Sequence, residues 1–330
     1  MAKDGPFPLR SPLGGAALRR LRLKLRKTAP TFGLGAHLHR RMGQSLEFRE
    51  YRNYNFGEDI RTVDWAASAR QGQKWDLIAK SFEAEERRTL IVLLDCRLAM
   101  RLPETVPKLG VAAWIAQTLI TAALEEQDRV IVMPVFSGPT PARPITIEGA
   151  KGMSAMNSLV ADVLAKPLLK DDWNAVPQAG LSPLQAMLKP SAAVVMITDG
   201  LFDDPKLEFA SFARVAQKNF RTFHMVEIDS WPCERAQLQV KPFRLRAIGG
   251  NAFGDQLCEA DAPYLNEVEI KLSTRRAEIL HRFSGPGLIW PKQAMSYPTD
   301  AEFDRTAAQH WFRNALPEAP FFACLLSRAG

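Results

Sequence analysis

This 330-residue sequence has no long apolar run. Its longest apolar segment spans residues 110–124 (GVAAWIAQTLITAAL) and is interrupted by Gln117, Thr118 and Thr121. That segment is shorter than the ~20 residues that a membrane-spanning helix requires, so we interpret it as a buried helix. The basic N-terminal residues are not followed by the apolar stretch of a secretory signal. We therefore expect a cytoplasmic protein without a transmembrane segment.

Cysteine and histidine are scarce, with four and five residues respectively. The cysteines lie far apart in the sequence, which indicates free thiols in a reducing compartment rather than a thiolate metal site. The sequence contains no H-E-x-x-H, G-x-S-x-G or P-loop motif. Because no motif pairs a nucleophile with a base, we predict that the protein is not an enzyme and has no catalytic residue. A hydrolase is the least favoured alternative.

Acidic residues are nearly absent from the N-terminus, although the whole chain has a formal charge of +7. Residues 1–41 contain ten lysines and arginines against a single acid, Asp4, so the rest of the chain is close to neutral. We interpret residues 1–42 as a basic N-terminal arm that is solvated and partly disordered. An alternative function follows from this arm, namely binding to nucleic acid or to an anionic membrane surface through residues 1–41.

β-Rich and helical segments alternate from residue 89 onward. Three strongly apolar runs, at 89–95 (TLIVLLD), 129–136 and 192–199, are typical of strands buried on both faces. Helical patterns lie between them, which predicts an α/β fold with a doubly wound, mostly parallel sheet over residues 89–316 and a tail at 317–330. The further predicted strands are 143–149, 221–229, 238–248 and 287–291, and the predicted helices are 105–126, 150–166, 182–188, 205–219, 262–283 and 300–315.

Residues 43–88 differ in composition, because aromatic and charged residues alternate closely there. Without a long apolar run, this segment is predicted to be an irregular β or loop extension packed on the sheet. Its charges of both signs could form an ion-pair network, which Trp65 would anchor onto the core. The alternative is that the arginines face outward as a docking surface. The signature consists of Arg49, Tyr54, Gly57, Asp59, Arg61, Asp64, Trp65 and Arg70, with Glu47 and Glu83 as further acidic partners.

This signature, followed directly by a strand that ends in Asp95, resembles the domain of unknown function 58 family. The resemblance implies a fold similar to the von Willebrand factor A domain, which is itself Rossmann-like. It further implies a partnership with a MoxR-type AAA+ ATPase, for which the A-like domain acts as an adaptor or presents substrates. We therefore expect a non-enzymatic protein-interaction module.

The resemblance also implies a place for a divalent cation. In von Willebrand factor A domains, a D-x-S-x-S turn, a threonine from a second loop and an aspartate after a later strand hold magnesium through oxygen ligands. Asp95 and Asp199 match the two aspartate positions, and Ser182 matches the threonine. The serine positions of the turn hold Arg97 and Ala99, whose side chains have no oxygen to offer.

Arg97 places a permanent positive charge where the cation would bind. We therefore predict a degenerate metal-ion-dependent adhesion site, in which Arg97 rather than a metal neutralises Asp95 and Asp199, and we expect no cofactor. The alternative is that Arg97 turns to solvent and leaves a weak magnesium site formed by Asp95, Ser182 and Asp199. In either case these four residues are the predicted partner surface. The segment 138–180 is long enough to form a lid over it.

Overall fold

The structure, a computed structural model, describes residues 6–20, 48–54, 60–70, 77–82, 89–137, 142–165, 181–185, 187–188, 192–202, 204, 206–216, 222–240, 243–245, 256–258, 261–283 and 295–319. The chain divides into two compact units, of which the smaller lies within Gly35–Arg87 and the larger comprises the rest. We call the smaller one the signature unit and the larger one the sheet unit.

The elements follow the predicted alternation of strands and helices. In chain order they are α1 (15–20), β1 (Phe48–Asn53), α2 (Trp65–Arg70), β2 (Ile78–Phe82), β3 (Thr89–Asp95), α3 (Lys108–Glu125), β4 (Arg129–Val135), β5 (Ile145–Ile147), α4 (Ala150–Ala165), α5 (Ser182–Gln185), β6 (Ala193–Thr198), α6 (Glu208–Ala216), β7 (Thr222–Asp229), α7 (Trp231–Val240), β8 (Phe243–Leu245), β9 (Gln256–Cys258), α8 (Ala262–Phe283), β10 (Met295–Ser296) and α9 (Arg305–Glu318).

β3 lies in the interior of a six-stranded sheet with the order β10-β7-β6-β3-β4-β5. The strands from β10 to β4 run parallel to one another, while β5 pairs antiparallel with β4 at one edge. Every residue of β3 is buried, as its uninterrupted apolar sequence predicts for a strand that is covered on both faces. The predicted α/β fold with a mostly parallel sheet is confirmed.

Helices cover both faces of this sheet. Successive side chains of a strand point to opposite faces, so Leu90, Val92 and Leu94 pack into one core with residues of α3, α4 and α9. Ile91 and Leu93 pack into a second core with residues of α6. The sheet is therefore doubly wound, and β3 contributes to both cores.

The longest apolar segment of the sequence forms most of α3. This helix is buried along nearly its whole length because it packs on the sheet with one side and is covered on the other. No helix among the described residues is both long enough and apolar enough to cross a bilayer. The interpretation of 110–124 as a buried helix is confirmed.

Residues 6–20 supply part of the cover over α3. Phe7 stacks on Trp114 with ring centroids 4.8 Å apart, and Trp114 Nε1 donates a hydrogen bond of 2.7 Å to the carbonyl oxygen of Pro8. A side chain at Gly110 would collide with the Phe7 ring, so the glycine makes room for this contact. The structure thus corrects the expectation of a solvated arm for residues 6–20, since their apolar side chains are needed to bury α3.

α7 is a helix that begins the region after β7, and it overlaps the strand predicted at 238–248. It starts after Asp229, whose carboxylate accepts a hydrogen bond of 3.1 Å from the backbone N of Trp231. Pro232 lies in its first turn, where the missing N–H of proline is tolerated. These two features favour a helix directly after β7, and the described part of the predicted strand that follows the helix is β8, which pairs with β9. The strand predicted at 287–291 lies outside the described residues.

The signature unit contains regular structure. β1 and β2 form an antiparallel pair, and Asp64 precedes α2 as its N-cap, because its carboxylate accepts a hydrogen bond of 3.0 Å from the backbone N of Ala67. The Tyr51 hydroxyl donates a further hydrogen bond of 3.2 Å to the same carboxylate. Ser68 Oγ accepts one of 2.8 Å from the backbone N of Ile78. These polar contacts tie α2 to the strand pair.

Candidate functional site

Two aspartates meet at the carboxyl edge of the sheet. Asp95 is the last residue of β3, and Asp199 directly follows β6. The two strands are parallel neighbours in which Leu94 pairs with Ile197, so their carboxyl ends lie side by side. The exposed fractions of the two residues are 0% and 1%. Such carboxylates require partners, because an isolated charge in the interior is very unfavourable.

The Arg97 guanidinium lies between the two carboxylates. Its Nε is 3.0 Å from Asp95 Oδ1, and its Nη2 is 2.6 Å from Asp95 Oδ2. The same Nη2 donates a hydrogen bond to Asp199 Oδ1. The backbone N of Arg97 also donates a hydrogen bond of 3.0 Å to Asp95 Oδ1, which fixes the start of the loop after β3. Arg97 is therefore turned toward the carboxylates and not toward solvent.

Lys108 is a second cation of this site, and the sequence analysis did not identify it. Its Nζ donates a hydrogen bond of 2.9 Å to Asp199 Oδ2, and its side chain is 7% exposed. Lys108 is the first residue of α3, where a positive charge is unfavourable next to the positive end of the helix dipole. A lysine at the start of an otherwise apolar helix was the available signal that it has an acidic partner.

Thr198 provides the hydroxyl of the site. As the last residue of β6, its Oγ1 donates a hydrogen bond of 2.7 Å to Asp95 Oδ2, and it accepts one of 3.2 Å from the backbone N of Gly200. Sequence reasoning missed Thr198 because it treated the last strand residue as part of the apolar run. The alternation of side chains along β6 places Thr198 on the same face as Val194 and Met196.

The neighbouring charges hold Asp199 and Arg97 in their ionised forms. Burial alone would raise the pKa of Asp199, but the charges of Arg97 and Lys108 hold it well below its usual range. Burial would lower the pKa of Arg97, but the charges of Asp95 and Asp199 raise it above its usual value. We call Asp95, Arg97, Lys108 and Asp199 the inner cluster; two cations and two carboxylates make it neutral overall.

Aromatic rings lie beside the guanidinium. Arg97 Cζ is 5.7 Å from the centroid of Phe136 and 5.8 Å from that of Phe202, distances at which a cation is attracted to a ring. Both rings also contact Phe209, each with centroids 5.1 Å apart. Phe136 has a φ of +56°, a conformation that is uncommon for a bulky residue. The backbone after β4 is therefore strained in the arrangement that holds this ring beside Arg97.

The magnesium site that the resemblance implies does not fit these residues. Every carboxylate oxygen already accepts a hydrogen bond from the protein, on Asp95 from Arg97 and Thr198, and on Asp199 from Arg97 and Lys108. A divalent ion would have to displace two cations and would be repelled by Arg97 at close range. In the described part of the chain, no group of three or more His, Cys, Asp or Glu side chains could hold a metal.

The other two residues near the predicted site have less to contribute. Ser182 is the first residue of α5, but its side chain lies outside what the structure describes, so its predicted place on the partner surface stays a prediction. Cys96 follows Asp95, yet its side chain packs into the core on the opposite face from Phe136. Its Sγ donates a hydrogen bond of 3.4 Å to the carbonyl oxygen of Leu94.

A second group of charges lies at the end of β7. Arg276 of α8 donates a hydrogen bond of 2.8 Å from Nη2 to Asp229 Oδ1, and its Nε lies 2.9 Å from Glu227 Oε1 without the alignment of a hydrogen bond. Burial raises the pKa of Glu227, and the charge of Arg276 counteracts that effect. We call Glu227, Asp229 and Arg276 the outer cluster. A Cβ at Gly200 would lie 3.7 Å from Arg276 and Glu227, so this cluster adjoins the loop after Asp199.

The signature residues are described in part. The backbone N of Tyr54 donates a hydrogen bond of 2.7 Å to the carbonyl oxygen of Leu77, which directly precedes β2. The Trp65 side chain is 59% exposed and α2 contains no buried residue, so Trp65 is a surface residue of its unit, and its role as an anchor onto the core stays a prediction. Arg61 and Arg70 are exposed. The side chain of Arg49, and Glu47, Gly57, Asp59 and Glu83 as a whole, lie outside the described residues, so the ion-pair network stays a prediction.

Comparison with known proteins identifies the family. A family model described as "Protein of unknown function DUF58" matches residues 50–228, which is more than half of the chain. The chain therefore belongs to this family, as the signature and the strand ending in Asp95 indicate. No curated protein matches the sequence.

One solved structure has a slight similarity to the chain. It is described as "The crystal structure of an aerotolerance-related membrane protein from Bacteroides fragilis NCTC 9343 with multiple mutations to serines". The two are 16% identical, the match covers 69% of this chain and 98% of that chain, and the TM-score is 0.29. A TM-score of this size supports no inference about function.

Proposed function

We propose that the chain is a non-enzymatic protein-interaction module with a von Willebrand factor A-like fold, which acts as an adaptor for a MoxR-type AAA+ ATPase. The partner surface is the carboxyl edge of the sheet around Asp95, Arg97, Ser182 and Asp199. The observation that carries the proposal is the inner cluster, a neutral and fully paired set of charges at the edge where open α/β sheets bind their ligands. Membership of the family supports it.

The protonation states of the inner cluster favour binding over catalysis. A general acid or base works best when its pKa lies near the operating pH. The pKa of Asp199 is held far below that range by Arg97 and Lys108, and the pKa of Arg97 is raised above its usual value by the two aspartates. Neither group can exchange a proton near neutral pH, so the cluster presents fixed charges to a partner.

The thiol beside the site also favours a non-enzymatic function. Cys96 is 6% exposed and packs among apolar residues on the face of the sheet opposite to Phe136. A reactive cysteine requires an accessible thiolate in a positively charged environment. Cys96 therefore serves the core rather than the carboxyl edge.

Affinity capture tests the adaptor proposal. The immobilised full chain is incubated with a lysate of its source cells in magnesium buffer and again with EDTA, and bound proteins are identified by mass spectrometry. We expect recovery of a MoxR-type ATPase by the unchanged chain. An Asp95→Asn variant, shown to be folded by circular dichroism, should recover less of it. A Lys271→Ala variant is the matched control, because Lys271 is an exposed residue of α8 that pairs with Glu267 and makes no contact with the inner cluster.

The outcomes of this capture separate the possibilities. Equal recovery with magnesium and with EDTA supports an adaptor whose contact does not use a metal. If the unchanged chain and every variant recover the ATPase in magnesium buffer but not in EDTA, the metal is required by the nucleotide that the ATPase binds. If no AAA+ ATPase binds to the folded chain, the adaptor proposal is wrong.

Binding to nucleic acid or to an anionic membrane surface is the second candidate function. The observation that favours it is the charge of the N-terminus, since residues 21–41 alone contain six lysines and arginines and no acid. Residues 6–20 are needed to cover α3, so replacing these six residues with glutamine is a better test than deleting the arm. Loss of binding to DNA or to phosphatidylserine vesicles, with a steep dependence on salt in the unchanged chain, would support this function.

A further inference from the structure

We propose that the outer edge of the Arg97 guanidinium is a carboxylate-binding site, which receives an Asp or Glu side chain of the partner protein directly and without a metal ion. The inference rests on the proposed function, because it specifies the chemistry by which the partner is recognised at the same edge of the sheet. It follows from a count of the donors and acceptors of the inner cluster.

Arg97 has donors that the inner cluster does not use. A guanidinium has five N–H groups; Nε uses its single N–H on Asp95, and Nη2 uses its two on Asp95 and Asp199. Among the described residues, Nη1 has no acceptor for either of its two N–H groups. Two N–H groups on one nitrogen therefore remain for a ligand.

These donors reach the surface of the protein. The Arg97 side chain is 13% exposed. Among the described residues, two side-chain nitrogens, Trp231 Nε1 and Arg276 Nε, are shielded from solvent and have no hydrogen-bond partner. Arg97 Nη1 also has no partner in the described part of the chain, but it is not shielded from solvent in this way. The nitrogen that lacks a partner is thus the one in contact with solvent, where an incoming group can approach it.

The guanidinium is held in place before any ligand arrives. Its position is fixed by the hydrogen bonds to Asp95 and Asp199 and by the rings of Phe136 and Phe202. Ordering a flexible arginine side chain on binding opposes association. Because Arg97 is already ordered, that loss does not reduce the affinity of this site.

A carboxylate is the acceptor that fits best. Hydrogen bonds between a guanidinium and a carboxylate are shorter and about twice as strong as those between neutral groups. The aspartates of the inner cluster are balanced by Arg97 and Lys108, and the nearby acids Glu227 and Asp229 are both paired with Arg276. Glu227 and Asp229 thus share the single charge of Arg276, so the attraction for a ligand comes from the hydrogen bonds that the Nη1 donors can make and not from a net positive charge.

The probe for this site is the tripeptide acetyl-Gly-Asp-Gly-amide, compared with acetyl-Gly-Asn-Gly-amide at constant ionic strength. Binding to the full-length, nitrogen-15-labelled chain is followed by NMR through the backbone N–H resonances of residue 97 and of Gly200, which lie at the site in every variant. We expect a saturable shift with the Asp peptide and an affinity about tenfold higher than that of the Asn peptide, as for the gain of one charge-assisted hydrogen bond.

Arg97→Lys is the decisive variant. A lysine keeps the positive charge between Asp95 and Asp199, so the fold is retained, but it has no second nitrogen that faces outward. We expect the affinity for the Asp peptide to fall about tenfold. Arg276→Lys is the matched control, since it changes the other arginine of this edge in the same way, and it should bind the Asp peptide with unchanged affinity.

Two results would overturn the inference: equal affinities for the Asp and Asn peptides, or a shift of the same size in Arg97→Lys. Affinity capture of the ATPase distinguishes this failure from failure of the proposed function. If the ATPase is captured equally by the unchanged chain and by Arg97→Lys, the adaptor function stands and the carboxylate site is wrong. If the Asp peptide binds at Arg97 but no ATPase is captured, the carboxylate site stands and the adaptor function is wrong.

Discussion

The inner and outer clusters lie at the same edge of one sheet, yet they differ in burial and in the balance of charge. In the inner cluster two cations face two carboxylates, and no side chain is more than 13% exposed. In the outer cluster one cation, Arg276, faces two carboxylates whose side chains are 25% and 17% exposed. The more deeply buried cluster thus has one cation for each carboxylate. A carboxylate that still contacts water does not need a cation of its own.

This difference has an energetic consequence. Removing one partner from a buried ion pair destabilises a protein by about 3–5 kcal/mol, since a buried charge is left without compensation. Exposed pairs contribute about 0–1 kcal/mol, because water replaces the lost partner. If burial sets the strength of these contacts, substitutions in the inner cluster should be far more harmful than equivalent substitutions in the outer cluster.

Arg97→Ala should have the largest effect on stability. It leaves Asp95 with Thr198 and backbone donors, and Asp199 with Lys108, so we expect the free energy of unfolding to fall by about 3–5 kcal/mol. Urea unfolding followed by circular dichroism measures this loss. Adding Asp95→Asn to Arg97→Ala should restore part of it, because the uncompensated charge is then removed. A loss below about 1 kcal/mol, as for an exposed pair, would contradict the comparison.

His224→Gln separates the acid sensitivity of the core from that of the inner cluster. Burial lowers the pKa of His224 from 6.5 to about 4. His224 therefore takes up a proton at a higher pH in the unfolded chain than in the folded chain. The free energy of unfolding has its full value above pH 6.5 and falls as the pH is lowered toward 4. The expected loss over this window is about 3 kcal/mol, and His224→Gln should remove it in urea unfolding curves measured across the window.

The inner cluster should respond to acid in a lower window. The pKa of Asp199 is held below its ordinary value of 3.8, so its contribution to stability is present above that value and is lost as the pH falls below it. Stability losses below pH 4 that persist in His224→Gln are therefore assigned to carboxylates. If His224→Gln leaves the decline between pH 6.5 and 4 unchanged, another group titrates in that window.

Lys108→Met should have a smaller effect, because Asp199 keeps its contact with Arg97. We expect a loss of about 2 kcal/mol, the value of one hydrogen bond between charged groups, together with a rise of the Asp199 pKa toward its usual range. Urea unfolding and the midpoint of acid unfolding report these two changes. Lys271→Met is the control, since Lys271 pairs with Glu267 on the exposed surface of α8 and should change neither quantity measurably.

Arg276→Met should have the smallest effect of the four. Its partners Glu227 and Asp229 retain contact with water, so we expect a loss of about 1 kcal/mol in urea unfolding. A loss as large as that of Arg97→Ala would show that the outer cluster is as dependent on its cation as the inner one, and the contrast between the two would then not be a matter of burial.

The sheet could be predicted from the sequence because its strands are uninterrupted apolar runs. The run TLIVLLD at 89–95 is correctly predicted to be a strand without knowledge of its neighbours, because a strand that is covered on both faces needs apolar residues at nearly every position. Asp95 and Asp199 were found for the same reason, because each ends such a run. Their proximity followed from the parallel arrangement of neighbouring strands.

Other parts depended on contacts that sequence patterns do not record. Lys108 lies far from Asp199 in the chain, and its role requires the start of α3 to lie at the carboxyl edge. The packing of Phe7 depends on a space above Gly110 that exists in the folded state alone. α7 was missed because its start is defined by Asp229 and Pro232, a capping signal that a search for apolar periodicity overlooks.

We propose that Arg97 and Lys108 occupy the position of the divalent cation that the resemblance to von Willebrand factor A domains implies. Thermal unfolding of the full chain in millimolar magnesium chloride, compared with EDTA at equal ionic strength, tests it most directly, because a ligand that binds the folded state raises the midpoint. We predict identical midpoints for the unchanged chain. The triple variant Arg97→Ser, Ala99→Ser, Lys108→Met, which removes both cations and adds two hydroxyl oxygens, should show a magnesium-dependent rise. A rise in the unchanged chain that Asp95→Asn abolishes would show that a metal binds there and that Arg97 and Lys108 do not replace it.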